Sequence, residues 1–189
     1  VVKNVVGYDL TQLLVGSEGT LAIVTKVILR LMPRLPAVAT LRATFDSMPR
    51  AADAVTRLVR ARVVPSTLEL IDQASLDAVA RAQNTHSLAP AGTAAMLILE
   101  VDGLSEQVAA ESDQVAAACR DAGATEVLRA TRDEERQELW RVRREISLGL
   151  LTIAPLKLNH DIVVPKARIP ELFALIASLQ ARVGFPIPS

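Results

Sequence analysis

Gly16 and Gly19 bracket a Gly-x-x-Gly turn that runs straight into apolar, β-branched sequence. Without a Cβ, such positions let the backbone approach a ligand closely. Successive amide N–H groups in the turn then form a concavity suited to an anion such as a pyrophosphate. The same spacing also serves a plain structural turn. No Gly-Lys-Ser/Thr follows, which excludes a Walker loop, and no G-x-G-x-x-G is present, which excludes a Rossmann fingerprint. The two histidines, His86 and His160, fall short of the three protein ligands that zinc normally takes, so no metal site is expected from this chain. His86 lies in a polar loop. His160 alternates with Asn159 and Asp161 along an expected strand. The single cysteine, Cys119, sits on the apolar face of an expected helix and reads as a small buried hydrophobe rather than a nucleophile.

The elements that must position these residues follow from periodicity. Residues 1–36 hold three of the eight glycines, and Leu21 to Leu31 is nearly continuous apolar sequence rich in Val and Ile. That run predicts a buried strand. Pro33 and Pro36 place a boundary there, leaving residues 37–189 as a second region. Val38 to Phe45 alternates as a strand, and Asp46-Ser47 precedes Pro49 as a helix start. Val55, Leu58, Val59 and Val63 follow helical spacing. Leu68 to Ile71 reads as a short strand, and Asp72 caps a helix bearing Leu76, Val79 and Ala80. Asn84 to Thr93 is a loop, and Met96 to Val101 a strand. Ser105 opens a helix closed by Gly123, and Thr125 to Leu128 reads as a further strand. Thr131 and Glu134 have capping-box spacing at the head of a helix reaching about Leu150. Leu156 to Val164 reads as a strand, and Ile169 to Val183 as an amphipathic helix. Alternation of this kind fits a parallel βαβ sheet or an antiparallel α+β sheet equally well.

Composition removes several function classes. Lys+Arg and Asp+Glu number 21 each, so no basic excess exists to bind nucleic acid or an anionic membrane. Three Phe, one Trp and one Tyr supply too few flat rings for a base-stacking or sugar-binding platform. One cysteine permits neither an internal disulfide framework nor a cysteine-rich cluster. No apolar run reaches the ~18 residues of a transmembrane helix. The opening Val1-Val2-Lys3-Asn4 carries no leader pattern, and the chain reads as a piece of something longer.

Asn4 to Leu31 carries a longer pattern. Gly7-Tyr8-Asp9-Leu10, then Gly16-Ser17-Glu18-Gly19-Thr20-Leu21-Ala22-Ile23-Val24-Thr25, resembles the hallmark N-x-x-G-Y-D-L…G-S-E-G-T-L-G-I-I-T of the FAD-linked oxidases of the vanillyl-alcohol oxidase and p-cresol methylhydroxylase superfamily. The branch it resembles is that of the glycolate oxidase GlcD subunit, D-lactate dehydrogenase and D-2-hydroxyglutarate dehydrogenase. Ala22 departs from the family's glycine by one methyl. Downstream, Leu139 to Ile146 and Leu158 to Pro165, followed by Arg168 to Leu172, resemble the family's cap domain. The resemblance implies an α+β fold. Residues 1–36 would be the C-terminal end of the FAD-binding domain, and residues 37–189 a truncated cap domain with a ferredoxin-like antiparallel sheet flanked by helices.

What the resemblance implies for the sites can be stated residue by residue. Gly16, Ser17, Glu18, Gly19, Thr20, Leu21, Ala22, Ile23 and Val24 would bind FAD. Gly7 and Tyr8 read as cofactor neighbours or as structural residues. Arg143, in the Trp-x-x-Arg context of Trp140, would bind the carboxylate of a 2-hydroxy acid through its planar fork. The surrounding Arg141, Arg144, Glu134, Glu135, Glu138 and Glu145 also permit a solvated helix face. Ser147, one turn on, would touch the same carboxylate. Asn159 stands where some relatives have a substrate-binding lysine, and Lys157, on its face of the expected strand, either restores that charge or is solvated.

The implied reaction is FAD-dependent dehydrogenation of a glycolate, D-lactate or D-2-hydroxyglutarate class of substrate, with hydride passing from C2 to flavin N5. No catalytic residue is expected within this chain. The family's Gly-His-x-Gly-Asp-Gly-Asn-x-His motif, which supplies the base and any divalent metal, would follow the last helix. The implied partners are the hydroxy acid and an iron–sulfur or electron-carrier subunit. The implied location is cytoplasmic, peripheral to the inner membrane through partner subunits. An alkyl-glycerone-phosphate synthase-like transferase and a non-catalytic homologue are the alternatives.

Overall fold

Alternation along Ala37–Phe45 puts Leu41, Ala43 and Phe45 on one face of a strand and Thr40 and Thr44 on the other. All five are buried, so both faces of this strand are covered. In the computed structural model the described residues are 6–84, 89–130, 132–154, 156–159 and 161–188. The chain divides into two units, residues 1–34 and 35–189.

The second unit contains β1 (Ala37–Phe45), β2 (Thr67–Asp72), β3 (Ala95–Gly103) and β4 (Glu126–Arg129). They form one sheet in the order β2-β3-β1-β4, and every neighbouring pair is antiparallel. The antiparallel sheet carries the α+β fold expected above and removes the parallel alternative. β1 and β2 share a direction with β3 inserted between them, and β3 and β4 share a direction with β1 between them. That is the ferredoxin-like order, with one added helix between β2 and β3.

The two crossovers are α2 (Met48–Arg60) and α4 (Ser105–Asp121). Their apolar faces, including Ala51, Val55, Leu58, Val108, Val115 and Cys119, cover Leu41, Ala43, Phe45, Leu97 and Leu99. Burial pushes the Cys119 thiol up to about 12, which keeps it neutral and inert. On the opposite face lie α3 (Gln73–Ala82) and α5 (Asp133–Leu150). Here Leu76 and Val142, with Leu139, Trp140 and Ile146 beside them, pack on Ile71, Met96 and Ile98. Asp72 caps α3, its carboxylate accepting from the Ser75 amide at 2.8 Å. A short 3₁₀ turn (Lys166–Arg168) leads into α6 (Ile169–Val183).

Several expectations require correction. The head of α5 is capped at Arg132, whose amide donates to Glu135, one residue beyond the Thr131–Glu134 pairing; Thr131 lies outside the described residues. Ser47 is the N-cap of α2 but makes no side-chain cap bond, and Asp46 accepts from Arg50. Residues 156–159 and 161–164, expected as a strand, are irregular, with Leu156, Leu158 and Val163 exposed. The expected strand of Leu21 to Leu31 is likewise irregular and exposed throughout. In both cases an apolar run has the composition of a strand, but no described strand pairs with its N–H and C=O groups, and pairing makes the strand. The expected loop of Asn84 to Thr93 includes residues 85–88, which are outside the described residues together with His86, as is His160.

In the first unit a single helical turn, α1 (Leu10–Leu14), starts at Asp9, which accepts from the Gln12 amide at 3.2 Å. The chain then turns at Gly16 to Thr20 and continues without regular structure.

Candidate functional site

Arg143 and Ser147 lie four residues apart on α5, so they share one face of that helix. The face also presents Ile146 and Leu150, and it looks onto Glu69 and Ile71 of β2 and the buried Ser75 of α3. Lys157 and Asn159, two residues apart in the irregular segment after α5, close the remaining side. Together these residues line a cleft of about 350 Å³. Arg143 and Ser147 of α5 and Lys157 and Asn159 of the segment just after it are thus brought to one place, against β2 and α3 from earlier in the chain. The shared face expected for Lys157 and Asn159 is kept even though the strand is absent.

Charge within the cleft is ordered. The Arg143 Nε lies 3.2 Å from Glu69 Oε1. The Lys157 ammonium donates to Ser147 Oγ at 2.6 Å and, among the described residues, faces no carboxylate partner. Glu69 was not singled out by sequence reasoning. The available signal was an acidic residue inside an apolar strand, Leu68-Glu69-Leu70-Ile71, where a charge on a half-buried face needs a partner.

Behind the cleft, α5 is pinned to the sheet by Glu100 of β3. Its carboxylate, whose side chain is 16% exposed, accepts from Trp140 Nε1 at 2.7 Å and Thr40 Oγ1 at 2.5 Å, with Arg136 at 3.8 Å. Trp140 is one turn before Arg143, so this half-buried bond fixes the height and rotation of the helix that carries Arg143. On the outer side Arg141 joins Glu138 at 2.5 Å and Glu145 at 3.0 Å, and Glu145 also accepts from Gln83 at the end of α3. The hydrogen bond from Arg141 holds the Glu138 carboxyl below the usual glutamate range, and the bonds from Gln83 and Arg141 do the same for Glu145. The charge cluster around Arg143 therefore divides. Arg141, Glu138 and Glu145 are occupied with one another, and Arg143 turns to the cleft.

The glycine turn is built as its spacing predicts. Gly16, Glu18 and Gly19 all have positive φ, at 84°, 50° and 77°. The Thr20 amide and hydroxyl both donate to the Ser17 carbonyl, at 2.9 and 2.7 Å. A Cβ at Gly16 or Gly19 would meet nothing within 4 Å, so the glycines serve φ and leave the backbone uncovered. Leu21, Ala22, Ile23 and Val24 follow as an exposed apolar ribbon. Tyr8 is 97% exposed and packs in no core. Among the described residues no group of three or more His, Cys, Asp or Glu is arranged to hold a metal, and no helix is long and apolar enough to cross a membrane.

Residues 34–187 match the family model described as FAD linked oxidases, C-terminal domain. The chain belongs to this family. The glycolate oxidase subunit GlcD of Bacillus subtilis (strain 168) is 34% identical over 98% of this chain and 39% of its own length. That of Escherichia coli (strain K12) is 32% identical over 92% of this chain and 34% of its own. The D-lactate dehydrogenase of Archaeoglobus fulgidus is 29% identical over 98% of this chain and 40% of its own. The chain therefore spans between a third and two fifths of the length of these relatives. A solved structure of alkyldihydroxyacetonephosphate synthase superposes with a TM-score of 0.63 over 93% of this chain and 37% of that one, at 17% identity. At that identity the likeness speaks for the fold alone. Family membership makes FAD the cofactor class.

Proposed function

We propose that the chain is the cofactor-contacting tail and the substrate-binding domain of an FAD-dependent 2-hydroxy-acid dehydrogenase. What supports the reading is the cleft that assembles Arg143, Ser147, Lys157 and Asn159 from α5 and the segment after it.

In this reading Gly16 to Val24 hold FAD through backbone N–H and C=O groups and the apolar ribbon. FAD supplies the two-electron oxidant for the C2–H and O–H of the acid, which leaves as the 2-oxo acid. Every other contribution within the chain is binding and orientation. The Arg143 guanidinium and the Lys157 ammonium bind the carboxylate with charge-assisted bonds. Ser147 holds Lys157 in place, and Asn159 donates or accepts at the 2-hydroxyl. Fixing the carboxylate at one end leaves C2 a narrow range of positions, which is how a binding residue contributes to rate. The proton acceptor lies outside this set of residues, as the resemblance implies. The electron-accepting partner we propose is an iron–sulfur or carrier subunit, in a cytoplasmic complex that meets the inner membrane through its partners. The GlcD relatives are themselves named as subunits.

Expression of the complete reading frame with FAD, followed by anaerobic addition of glycolate, D-lactate and D-2-hydroxyglutarate, tests the reading. A flavin spectrum that bleaches with one of these acids is expected, and Arg143→Ala should raise the concentration needed at least tenfold. A yellow protein that none of them reduces overturns dehydrogenation and favours a flavin-dependent transferase. A colourless protein overturns the assignment of Gly16 to Val24.

A further inference from the structure

The cleft holds three charged side chains, Glu69, Arg143 and Lys157, and their pairing is unequal. Arg143 is met by Glu69 at 3.2 Å. Lys157 is met by the neutral Ser147 hydroxyl. One of the two cations is thus already compensated by the protein, and the cleft carries a single net positive charge. We propose that Glu69 is a specificity-determining residue that restricts this cleft to monocarboxylates. This rests on the reading above, in which the cleft takes a 2-hydroxy acid.

The physical argument is charge balance. A ligand with one carboxylate neutralises the cleft. A ligand with two brings a surplus negative charge beside Glu69, whose side chain is 31% exposed, so that part of the repulsion survives solvent screening. The strand fixes where the Glu69 side chain starts. Glu69 sits within β2, at the position paired with Ile98 of β3, and shares its face with the buried Ile71. The strand delivers the carboxylate to the cleft, and its backbone is held by the sheet. Like-charge juxtaposition of this kind selects against one ligand rather than for another. Asn159 adds hydrogen bonding but no charge, so nothing else described in the lining offsets Glu69 against a second carboxylate.

The experiment is equilibrium binding of glycolate and of D-2-hydroxyglutarate by isothermal titration calorimetry. It uses the flavin-free product of the complete reading frame as wild type, Glu69→Gln, Glu69→Asp and Lys157→Gln. The wild type should bind glycolate at least tenfold more tightly than D-2-hydroxyglutarate. Glu69→Gln, an isosteric change, should move that ratio about tenfold toward the dicarboxylate, and Glu69→Asp, which keeps the charge, should leave it in place. Lys157→Gln should weaken glycolate about tenfold, and Glu69→Ala, which also removes the carboxylate and should move the ratio the same way, is the second variant if Glu69→Gln fails to fold. A wild type that binds glycolate while Glu69→Gln leaves the ratio within twofold overturns the role of Glu69 alone. So does a wild type that prefers the dicarboxylate. Binding of neither acid overturns the hydroxy-acid reading, and this inference with it.

Discussion

Gly149 stands near the end of α5 where that helix presses on α3. A Cβ added there would lie 2.9 Å from the Val79 backbone nitrogen and 3.0 Å from the Ala78 carbonyl carbon. Comfortable contacts of this type begin near about 3.5 Å, so Gly149→Ala forces α5 outward by roughly half an ångström. The atoms it meets are main chain inside a helix and have no rotamer to change. General helix propensity points the other way, since Gly→Ala in a helix interior gains about 1 kcal/mol, and less close to a helix end. Overpacking against a fixed neighbour costs about 1–3 kcal/mol. The net expectation is a loss of about 1–2 kcal/mol, or a fall in Tm of about 2–8 °C for a chain of this size. Thermal unfolding followed by circular dichroism measures it. Because α5 also carries Arg143 and Ser147, hydroxy-acid affinity should fall with stability. A variant that melts at the same or a higher temperature would refute the close approach and, with it, the rigid seat assigned to Arg143.

Two further outcomes are expected. Trp140→Phe removes the Nε1–H that Glu100 accepts at 2.7 Å and should cost about 2 kcal/mol, read as a lower urea midpoint at unchanged slope; a midpoint that does not move would count against the anchoring of α5 through Glu100. The lowered Glu138 and Glu145 carboxyls contribute stability that is complete above the ordinary glutamate value of 4.5 and is lost as pH falls through their folded values. Tm should therefore hold level from pH 7 to about 5 and decline below that, with a shallower decline in Glu145→Gln; equal declines in the two proteins would exclude the Gln83–Glu145–Arg141 link as a source of acid sensitivity.

The sheet and its helices were legible because each buried element satisfies its own pattern. β1 alternates, α2 and α4 carry their apolar stripes, and Asp72 caps α3 where the sequence places it. Strand direction was not legible, since alternation is the same for either sense and only pairing decides it. Leu21 to Leu31 and Leu156 to Val164 show the other limit. Composition marked them as strands, but a strand is a property of two partners, and neither run has one among the described residues. In the cleft, Arg143 and Asn159 were legible through a motif resemblance, Ser147 through its place one helical turn after Arg143, and Lys157 through the period of two. Glu69 was hidden because its significance is a distance across the cleft, and no spacing along the chain encodes it.

The irregular course of residues 156–159 has a consequence for how the protein can change. Arg143, Ser147 and Glu69 stand on elements whose other faces are committed to packing, so the backbone that carries them is held in place. Among the described residues, Lys157 and Asn159 stand on a stretch that pairs with no strand and contributes no buried apolar side chain. Exchanging either leaves the core untouched. Divergent descendants of this scaffold should therefore swap ligands mainly at these two positions, acquiring new preferences one substitution at a time while the sheet beneath stays as it is.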